Sequence, residues 1–590
     1  MISSAPVKML SDSSRSGLGH QRPGRNTDPR RHGARARTLL CFLFALIGCF
    51  VTLSACEGCR PSTTPAAGDG SAGTSAEAPR ARLYLVSDLA GALEPCGCVK
   101  DQLGGMDRFG ALVAAEKSKA PAFATLAAGP LFFMDMDIPE EKKGQEVAKA
   151  ETIATTLKTL KLAAFAPSRN GFADGIATLA KLRDTSGAAL VAANLAAGSL
   201  APAKSKIVEV GGLKIGVIGV AAPDKAEASP GSKENKLADV TSSPAIAAVK
   251  ESVAALKKDG AQAIIVLAAV GRGEAKRIAD ENPELLAILV GSTGASGDSN
   301  TKAAPPEQIG DVLVVETANH LQTVGVLDLH VRGDAPAGLL KLADGTGLER
   351  MRKREELTGR IDELRKKIAT WETDKSVDPK DVAARKTDVA KLEAERDALD
   401  KAPVPASGNF YRYSMREIRE NLGADNDVKS QMDVFYKKVN DANKLAFKDK
   451  KPVPAAKGEP SYAGIEVCSN CHEDAKKVWD GTGHAHAYAT LSKQFKEANL
   501  DCVGCHVTGY DKPGGSTVTH VSELENVQCE VCHGPGSLHA AKPDKVKIPI
   551  AKPTPESCIA CHHPPHVHTF DAHTKMADIL GPGHGRPLPK

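Results

Sequence analysis

The chain has 590 residues, enough for two or three domains. Its formal net charge of +4 is too small to indicate a nucleic-acid partner, and we expect none. Aromatic residues make up only 4% of the sequence, so alanine and aliphatic side chains must dominate any large core.

An apolar run from Leu39 to Ala55 follows a cluster of arginines, which is typical of an export signal. The run ends in Leu53-Ser54-Ala55-Cys56, which resembles a bacterial lipobox. We therefore predict a leader over residues 1–55 and a lipoprotein anchored to a membrane through acylated Cys56. The alternative is a membrane-spanning helix, for which about 20 apolar residues are needed. Both interpretations place the protein outside the cytoplasm of a bacterium, in the periplasm or on the outer face.

After a flexible tether over residues 56–80, residues 81–335 alternate between short apolar runs and amphipathic stretches. The apolar runs predict buried strands, among them 83–86, 213–220, 263–267 and 312–315. The stretch from Ala245 to Lys258 predicts a helix. Strand–helix alternation of this kind predicts an α/β layered domain.

The order of these segments resembles the calcineurin-like metallophosphoesterase fold of the 5′-nucleotidase group. The first strand ends in Val86-Ser87-Asp88-Leu89-Ala90, which keeps the aspartate of the first family motif but has Ala90 where the family has histidine. Gly129-Pro130 stands at the Gly-Asp motif, and the segments 168–171, 268–271 and 290–294 lack the later histidines. A two-metal site needs several carboxylates and imidazoles, and only Asp88 and Asn170 remain. We therefore expect a degenerate domain that has lost its metals and its phosphoesterase activity.

The segment Glu94-Pro95-Cys96-Gly97-Cys98 lies just past the first strand, where ligand-binding loops of α/β folds lie. One interpretation is a redox pair or a soft-metal site. The other is a structural loop whose thiols are incidental or pair elsewhere, for example with Cys59.

Residues 346–402 predict a helical hairpin, because apolar residues step by four and three along two seams. The seams are Leu357, Ile361, Leu364, Ile368 and Trp371, then Val382, Val389, Leu392 and Leu399. Asp378 and Pro379 suit the N-cap and first turn of the second helix. We interpret the hairpin as a spacer, with a dimerisation arm as the alternative. Residues 403–460 predict a further helix, from about Asn426 to Ala446, and a linker.

Four Cys-x-x-Cys-His motifs lie within residues 461–590, and each is the attachment signature of a c-type haem. In this signature both thiols form thioethers to the porphyrin and the histidine is the proximal iron ligand. We number them sites 1 to 4: Cys468, Cys471 and His472; Cys502, Cys505 and His506; Cys529, Cys532 and His533; Cys558, Cys561 and His562. The alternatives are zinc sites and disulfides, although zinc does not require a histidine after every pair. We predict four covalent haem c groups.

The surrounding residues resemble the tetrahaem cytochrome c-554 family, from Tyr462-Ala463-Gly464 through residues 479–487 and 527–539 to Gly581-Pro582-Gly583-His584-Gly585. His484 and His539 match family positions that supply distal ligands, and His584 is our third distal candidate. His520 is a candidate for the fourth position. The resemblance implies a sparse, mostly helical and irregular fold, with one haem five-coordinate. Two axial histidines suit electron transfer, whereas an open position admits a small-molecule ligand.

Our leading hypothesis is a multihaem cytochrome that transfers electrons to or from another redox protein outside the cytoplasm. A second is a haem-dependent enzyme that acts on a small nitrogen or sulfur species at an open haem. A third is a nucleotide phosphoesterase fused to a cytochrome. A fourth is a binding protein that uses the degenerate phosphoesterase cleft.

Overall fold

The computed structural model describes residues 78–95, 102–222, 236–294, 297, 299–374, 376–399, 405–563, 566–567 and 570–587. The predicted leader, Cys56, most of the tether, and the pair Cys96 and Cys98 lie outside the described residues. The described residues belong to one compact unit. Among their helices, none is both long enough and apolar enough to cross a membrane.

Two large sheets and a small one form the first part of the chain, with strands numbered in chain order. The first sheet has the order β14-β15-β13-β1-β2-β3-β4: Leu342–Asp344, Asn409–Glu417, Thr323–His330, Ala81–Ser87, Phe123–Gly129, Leu162–Pro167 and Ala189–Leu190. The second has the order β11-β12-β10-β9-β7-β6: Glu307–Ile309, Val312–Val315, Ala287–Val290, Ala263–Ala269, Leu213–Ala221 and Ser205–Val210. The small sheet pairs β5 with β8: Leu195–Ala197 and Val240–Ser242.

The helices divide into long ones and short ones. The long helices are α1 to α8: Met106–Glu116, Lys143–Thr159, Gly175–Ser186, Ala245–Lys258, Arg272–Glu281, Leu348–Thr373, Pro379–Ala398 and Asn426–Ala446. The short helices are α9 to α15: Ile465–Ser469, Glu473–Asp480, Ala487–Ser492, Val503–His506, Cys529–His533, Ser537–Ala541 and Ala572–Met576. The region that carries the four motifs is therefore sparse and helical, as the sequence predicted.

The two large sheets are stacked between helices and form a four-layered α/β domain. Side chains alternate across a strand, so Tyr84 and Val86 of β1 face the helices while Leu83 and Leu85 face the second sheet. The outer face of the second sheet packs against α4 and α5. Both faces of each large sheet are covered, so successive residues along a central strand are all buried. This explains the continuous apolar runs from which the strands were predicted.

The α/β domain continues past residue 335, the end of the predicted α/β segment. Strand β15 pairs antiparallel with β13 along its whole length, and α8 packs into the same core through Met432 and Phe435. The predicted hairpin, α6 and α7, is thus an insertion between β14 and β15. The strand was not predicted because Arg412, Arg416 and neighbouring polar residues in it are typical of a linker.

The hairpin itself has the predicted form. The side chain of Asp378 accepts a hydrogen bond from the backbone N–H of Lys380 at 2.9 Å and caps α7. Ile361, Ile368 and Val389 are buried between the two helices. The two seams therefore meet each other within one chain.

One carboxylate joins the α/β domain to residues 461–590, which carry the four predicted haem motifs and are called the haem region below. Asp501, next to the first thiol of site 2, accepts hydrogen bonds from Lys142 at 2.9 Å, Gln145 at 3.0 Å and Lys149 at 3.3 Å. Burial alone would raise the pKa of Asp501, but Lys149 and Lys142 outweigh it and lower the pKa well below its usual range. The charged form of Asp501 therefore stabilises this contact.

Side-chain amides extend the same interface. The carbonyl oxygen of Gln145 accepts from the backbone N–H of Leu500 at 2.9 Å and from the Asn443 amide at 3.0 Å. In α8, Asn440 accepts from the backbone N–H of Ala498 at 2.9 Å. The segment that leads into site 2 is therefore held by α2 and α8.

We predict that Asp501→Asn destabilises the contact between the α/β domain and the haem region by about 1–2 kcal/mol at pH 7. The Asp501 pKa is lower in the folded protein, so its stabilisation is present above the unfolded carboxyl pKa of about 3.9 and is lost as pH falls below that value. Thermal unfolding of wild type and variant at pH 7 and pH 3.5 measures both effects. Asp184→Asn, which removes an exposed pair with Arg183, is the control. Equal melting temperatures for wild type and Asp501→Asn at pH 7 would contradict the prediction.

Candidate haem-binding site

Each of the four motifs forms one helical turn. The backbone N–H of His472 bonds to the carbonyl of Cys468 at 3.0 Å, and that of His562 bonds to the carbonyl of Cys558 at 2.9 Å. Sites 2 and 3 coincide with helices α12 and α13. Residues i, i+3 and i+4 lie on one side of such a turn, so each motif presents two thiols and an imidazole together. None of the eight motif cysteines forms a disulfide bond among the described residues.

The four sites contact one another through their thiols, in an order that differs from the chain order. The thiol of Cys468 in site 1 lies close enough to that of Cys529 in site 3 to interact with it electrostatically, and the same holds for Cys505 of site 2 and Cys561 of site 4. Cys532 of site 3 also lies close enough to site 4 to interact electrostatically with its thiols. The spatial order is therefore 1–3–4–2.

Two of the distal candidates lie opposite proximal histidines. The ring centres of His484 and His562 are 6.2 Å apart, and those of His533 and His584 are also 6.2 Å apart. A metal–imidazole bond is about 2.0–2.1 Å long and the ring nitrogen lies about 1.1 Å from the ring centre, so two imidazoles on opposite sides of one metal have centres about 6.3 Å apart. The observed spacings fit a metal between each pair of rings.

The protonation of these rings also favours metal binding. Burial lowers the pKa of His484 and of His562, and for His484 the neighbouring His562 lowers it further. Burial, then His533 and His472, lower the pKa of His584. A lowered pKa keeps the imidazole neutral, which is the form that binds a metal.

Backbone carbonyls orient the imidazole rings of His533, His506 and His539. The Nδ1 atoms lie within hydrogen-bond distance of carbonyl oxygens: 2.6 Å from His506 to Ala487, 2.8 Å from His533 to Ile550 and 2.7 Å from His539 to Val546. A donor at Nδ1 leaves Nε2 free to bind a metal, the usual arrangement for ligating histidines. His539 therefore has the orientation of a ligand. Among the described residues, no ring contact joins it, His472 or His506 to a second imidazole. The ring of His520 lies 3.1 Å from the hydroxyl of Thr519.

Glu530 was not given a role from the sequence, yet it joins sites 1 and 3. It lies between the two cysteines of site 3, and only 2% of its surface is exposed. Its carboxylate accepts from the backbone N–H groups of Ala463 at 2.8 Å, Gly464 at 2.8 Å and Gly536 at 2.7 Å. Glu530 lies inside a Cys-x-x-Cys-His motif, three residues after an apolar position. Nothing in the sequence distinguishes a buried glutamate that accepts backbone hydrogen bonds from an exposed glutamate at this position.

Gln528 and Trp479 reinforce the contact that Glu530 makes. Gln528 accepts from the backbone N–H of Ile465 at 2.7 Å and donates to two carbonyls, of Glu523 and Glu525. The Trp479 indole donates to the carbonyl of Val527 at 2.8 Å. The two turns that carry sites 1 and 3 are therefore fixed relative to each other by hydrogen bonds.

The segments that resemble the phosphoesterase motifs lie together at the carboxyl ends of the strands. Asp88 follows β1 with a left-handed φ of 47°, and its carboxylate accepts the backbone N–H of Ser292 at 2.9 Å. A Cβ atom at residue 129 would lie 1.8 Å from a carboxylate oxygen of Asp88, so Gly129 is required there. Asn170 donates to the carbonyl of Met134 at 2.5 Å.

These residues do not fit a two-metal centre. The Asp88 carboxylate is bonded to a backbone N–H, and Ala90 stands where the family has a ligand. Within the part of the chain that the structure describes, no group of three or more His, Cys, Asp or Glu side chains is arranged to hold a metal ion. Burial raises the pKa of Asp88 to about 7.

Comparison with known proteins supports the predicted class of the haem region. Residues 467–534 match the family model described as "Cytochrome c554 and c-prime". The chain is 35% identical over 91 residues to cytochrome c-554 of Nitrosomonas europaea, a match that covers 13% of this chain and 39% of that protein. The chain thus spans well under half of that relative. Residues 467–534 are therefore similar to a c554-type multihaem cytochrome, a class that binds haem c covalently.

The solved structures that resemble the chain include members of the phosphoesterase group predicted for the α/β domain. A 5′-nucleotidase precursor from Thermus thermophilus is 16% identical, with a TM-score of 0.41 over 75% of this chain and 73% of that one. The calcineurin-like phosphoesterase YfkN from Bacillus subtilis is 17% identical, with a TM-score of 0.35 over 43% of this chain and 85% of that one. These distant likenesses say nothing about activity.

We predict that Glu530→Gln lowers the free energy of unfolding of the haem region by about 2–4 kcal/mol. The amide has only one acceptor oxygen, and its NH₂ group is placed against backbone donors that the carboxylate now satisfies. Denaturation followed by Trp479 fluorescence measures the change. Glu525→Gln, at an exposed position of the same region, is the control. A variant as stable as this control would contradict the role assigned to Glu530.

We predict that Asp88→Asn stabilises the α/β domain relative to wild type at pH 8 more than at pH 5. The Asp88 pKa is about 7 when folded and about 3.9 when unfolded, so the folded state binds the proton more tightly and stability falls as pH rises through this range. The asparagine does not titrate. Calorimetric melting temperatures at both pH values measure the difference, with exposed Asp280→Asn as the control. A difference independent of pH would show that Asp88 is ionised throughout.

Proposed function

We propose that this protein is a tetrahaem c-type cytochrome that transfers electrons outside the cytoplasm, anchored to a membrane by a lipid on Cys56. The observation that carries the proposal is the spacing of 6.2 Å between the ring centres of His484 and His562, and of His533 and His584. Each pair joins a histidine of a Cys-x-x-Cys-His turn to one from a distant segment. The c554-like module supports covalent haem c at such turns.

The residues divide into those that attach haem and those that bind its iron. The eight motif cysteines supply the thioether sulfurs, and His472, His506, His533 and His562 are the proximal ligands. His584 would hold the iron together with His533 at site 3, and His484 would hold it together with His562 at site 4. When bound, haem c supplies a one-electron couple between ferric and ferrous iron. Two neutral imidazoles of fixed orientation favour that couple because the ligand set is the same in both oxidation states.

The contacts between sites favour transfer along the module. Sites 1, 3, 4 and 2 adjoin one another in that order through Cys468–Cys529, Cys532 with site 4, and Cys561–Cys505. Glu530 and Gln528 fix sites 1 and 3. The α/β domain fixes the segment that leads into site 2 through Asp501. In this proposal the α/β domain is a scaffold and has no phosphoesterase activity.

A second candidate function is reduction or oxidation of a small nitrogen or sulfur species at site 1 or site 2. It is favoured by one observation: His472 and His506 have no ring contact with a second imidazole among the described residues. His539, whose Nδ1 lies 2.7 Å from the carbonyl of Val546, is the candidate sixth ligand for one of them.

We predict that His484→Ala and His584→Ala each convert one haem from low spin to high spin without loss of covalent haem. Removal of a distal imidazole opens the sixth coordination position while the thioethers and the proximal histidine remain. Electron paramagnetic resonance of the oxidised full-length protein measures the change. His573→Ala, at an exposed histidine, is the control. Spectra identical to that of the control would contradict the ligand assignment.

A further inference from the structure

A positively charged face lies beside site 3. We define the basic face as Lys542, Lys545, Lys547 and Lys552 together with Leu538 and Ile550. All four lysines are exposed, and no ion pair joins any of them to a carboxylate among the described residues. Leu538 is 37% exposed and Ile550 is 46% exposed. The face therefore combines unpaired cations with accessible apolar surface.

The charge of this face contrasts with that of the rest of the haem region. Residues 461–590 contain twelve lysines and arginines and fourteen aspartates and glutamates, a net charge of −2. Residues 542–552 alone carry four lysines and one aspartate, a net charge of +3. Elsewhere in the region four lysines pair with carboxylates: Lys476, Lys477, Lys496 and Lys575. Lys493 and Lys512, which lie in separate segments, have no ion pair among the described residues. The positive potential is therefore concentrated on one surface.

Residues 542–552, the loop that carries the four lysines, are hydrogen-bonded to His539 and His533. The carbonyl of Val546 binds Nδ1 of His539, and the carbonyl of Ile550 binds Nδ1 of the site 3 ligand His533. Ile548 and Pro549 pack so closely on Gly536 and Gly534 that an added Cβ there would lie about 3.1 Å from them. The loop that forms the basic face is thus fixed by packing, and one hydrogen bond connects it to His533, the proposed iron ligand of site 3.

We propose that the basic face is the docking surface for an acidic electron-transfer protein, which exchanges electrons with this module at site 3. The inference rests on the proposed function. Complementary charge steers two proteins together, and a small apolar centre excludes water once they meet. The lysines lie on an irregular loop and not along one face of an amphipathic helix, so a protein surface fits them better than a membrane does. The α/β domain contacts residues 497–501 near site 2, which is separated from site 3 by site 4 in the order 1–3–4–2.

The test measures how fast a reduced flavodoxin, a small acidic flavin protein, reduces the oxidised full-length holoprotein. The double variant Lys545→Glu with Lys547→Glu is compared with Lys380→Glu and Lys391→Glu, which make the same change in charge at exposed positions of α7. Stopped-flow spectroscopy gives the second-order rate constant. We expect the loop variant to lower it about tenfold at low salt and the α7 variant less than about twofold, with the difference shrinking at high salt.

A second pair of variants tests the apolar part of the face. Ile550→Ser is compared with Val434→Ser, at a position on α8 that is 65% exposed. We expect Ile550→Ser to weaken flavodoxin binding about threefold in a titration, and Val434→Ser to leave it unchanged. A loop or Ile550 variant that behaves like its control would overturn the proposal.

Two further outcomes separate the proposal from its alternatives. Loss of binding to phosphatidylserine vesicles in the loop variant, with no change toward flavodoxin, would assign the face to a membrane and overturn the docking proposal. Purified protein without covalent haem would defeat the proposed function itself. Equal reduction rates for haem-loaded variants and controls would defeat only the docking surface.

Discussion

Two imidazoles bind one metal ion from opposite sides only if their ring centres lie about 6.3 Å apart, and the haem region depends on this constraint. His562 and His533 stand at fixed positions at the ends of helical turns. Of the histidines proposed as their partners, His484 lies in a short helical turn between α10 and α11, and His584 lies in a turn outside any helix or strand. Those segments must be held in place by other contacts, and buried polar side chains such as Gln528 and Glu530 provide some of them.

Glu530 shows how these contacts work. A buried carboxylate is costly unless several donors satisfy it, and here three backbone N–H groups do so. The result is a fixed link between the segment that enters site 1 and the turn of site 3. Asp501 has the same effect at the other end, where it joins site 2 to α2. Both carboxylates are adjacent to motif cysteines, so the bonds that assemble the region also set the distances between sites.

The sequence predicted the elements whose signals are local. The helix Ala245–Lys258, the capped start of α7 at Asp378 and the buried strands followed from periodicity and capping residues. It did not predict β15, because a strand that contains Arg412 and Arg416 is recognised only once its partner β13 is known. The distal histidines were predicted as candidates, but their pairing with particular sites depends on contacts between residues far apart in sequence. For the same reason the bond between Asp88 and Ser292 could not be predicted from the sequence.

We propose that each of the four turns holds one covalently attached haem. Intact-protein mass spectrometry of the holoprotein under denaturing conditions tests this most directly, because thioether-bound haem survives unfolding. We expect the polypeptide to be heavier than the unmodified chain by the mass of four haem groups. When the two cysteines of any one motif are replaced by serine, we expect the added mass to be that of three haem groups. A polypeptide whose mass includes no haem would contradict this proposal. A native protein that carries zinc in place of haem would contradict it as well.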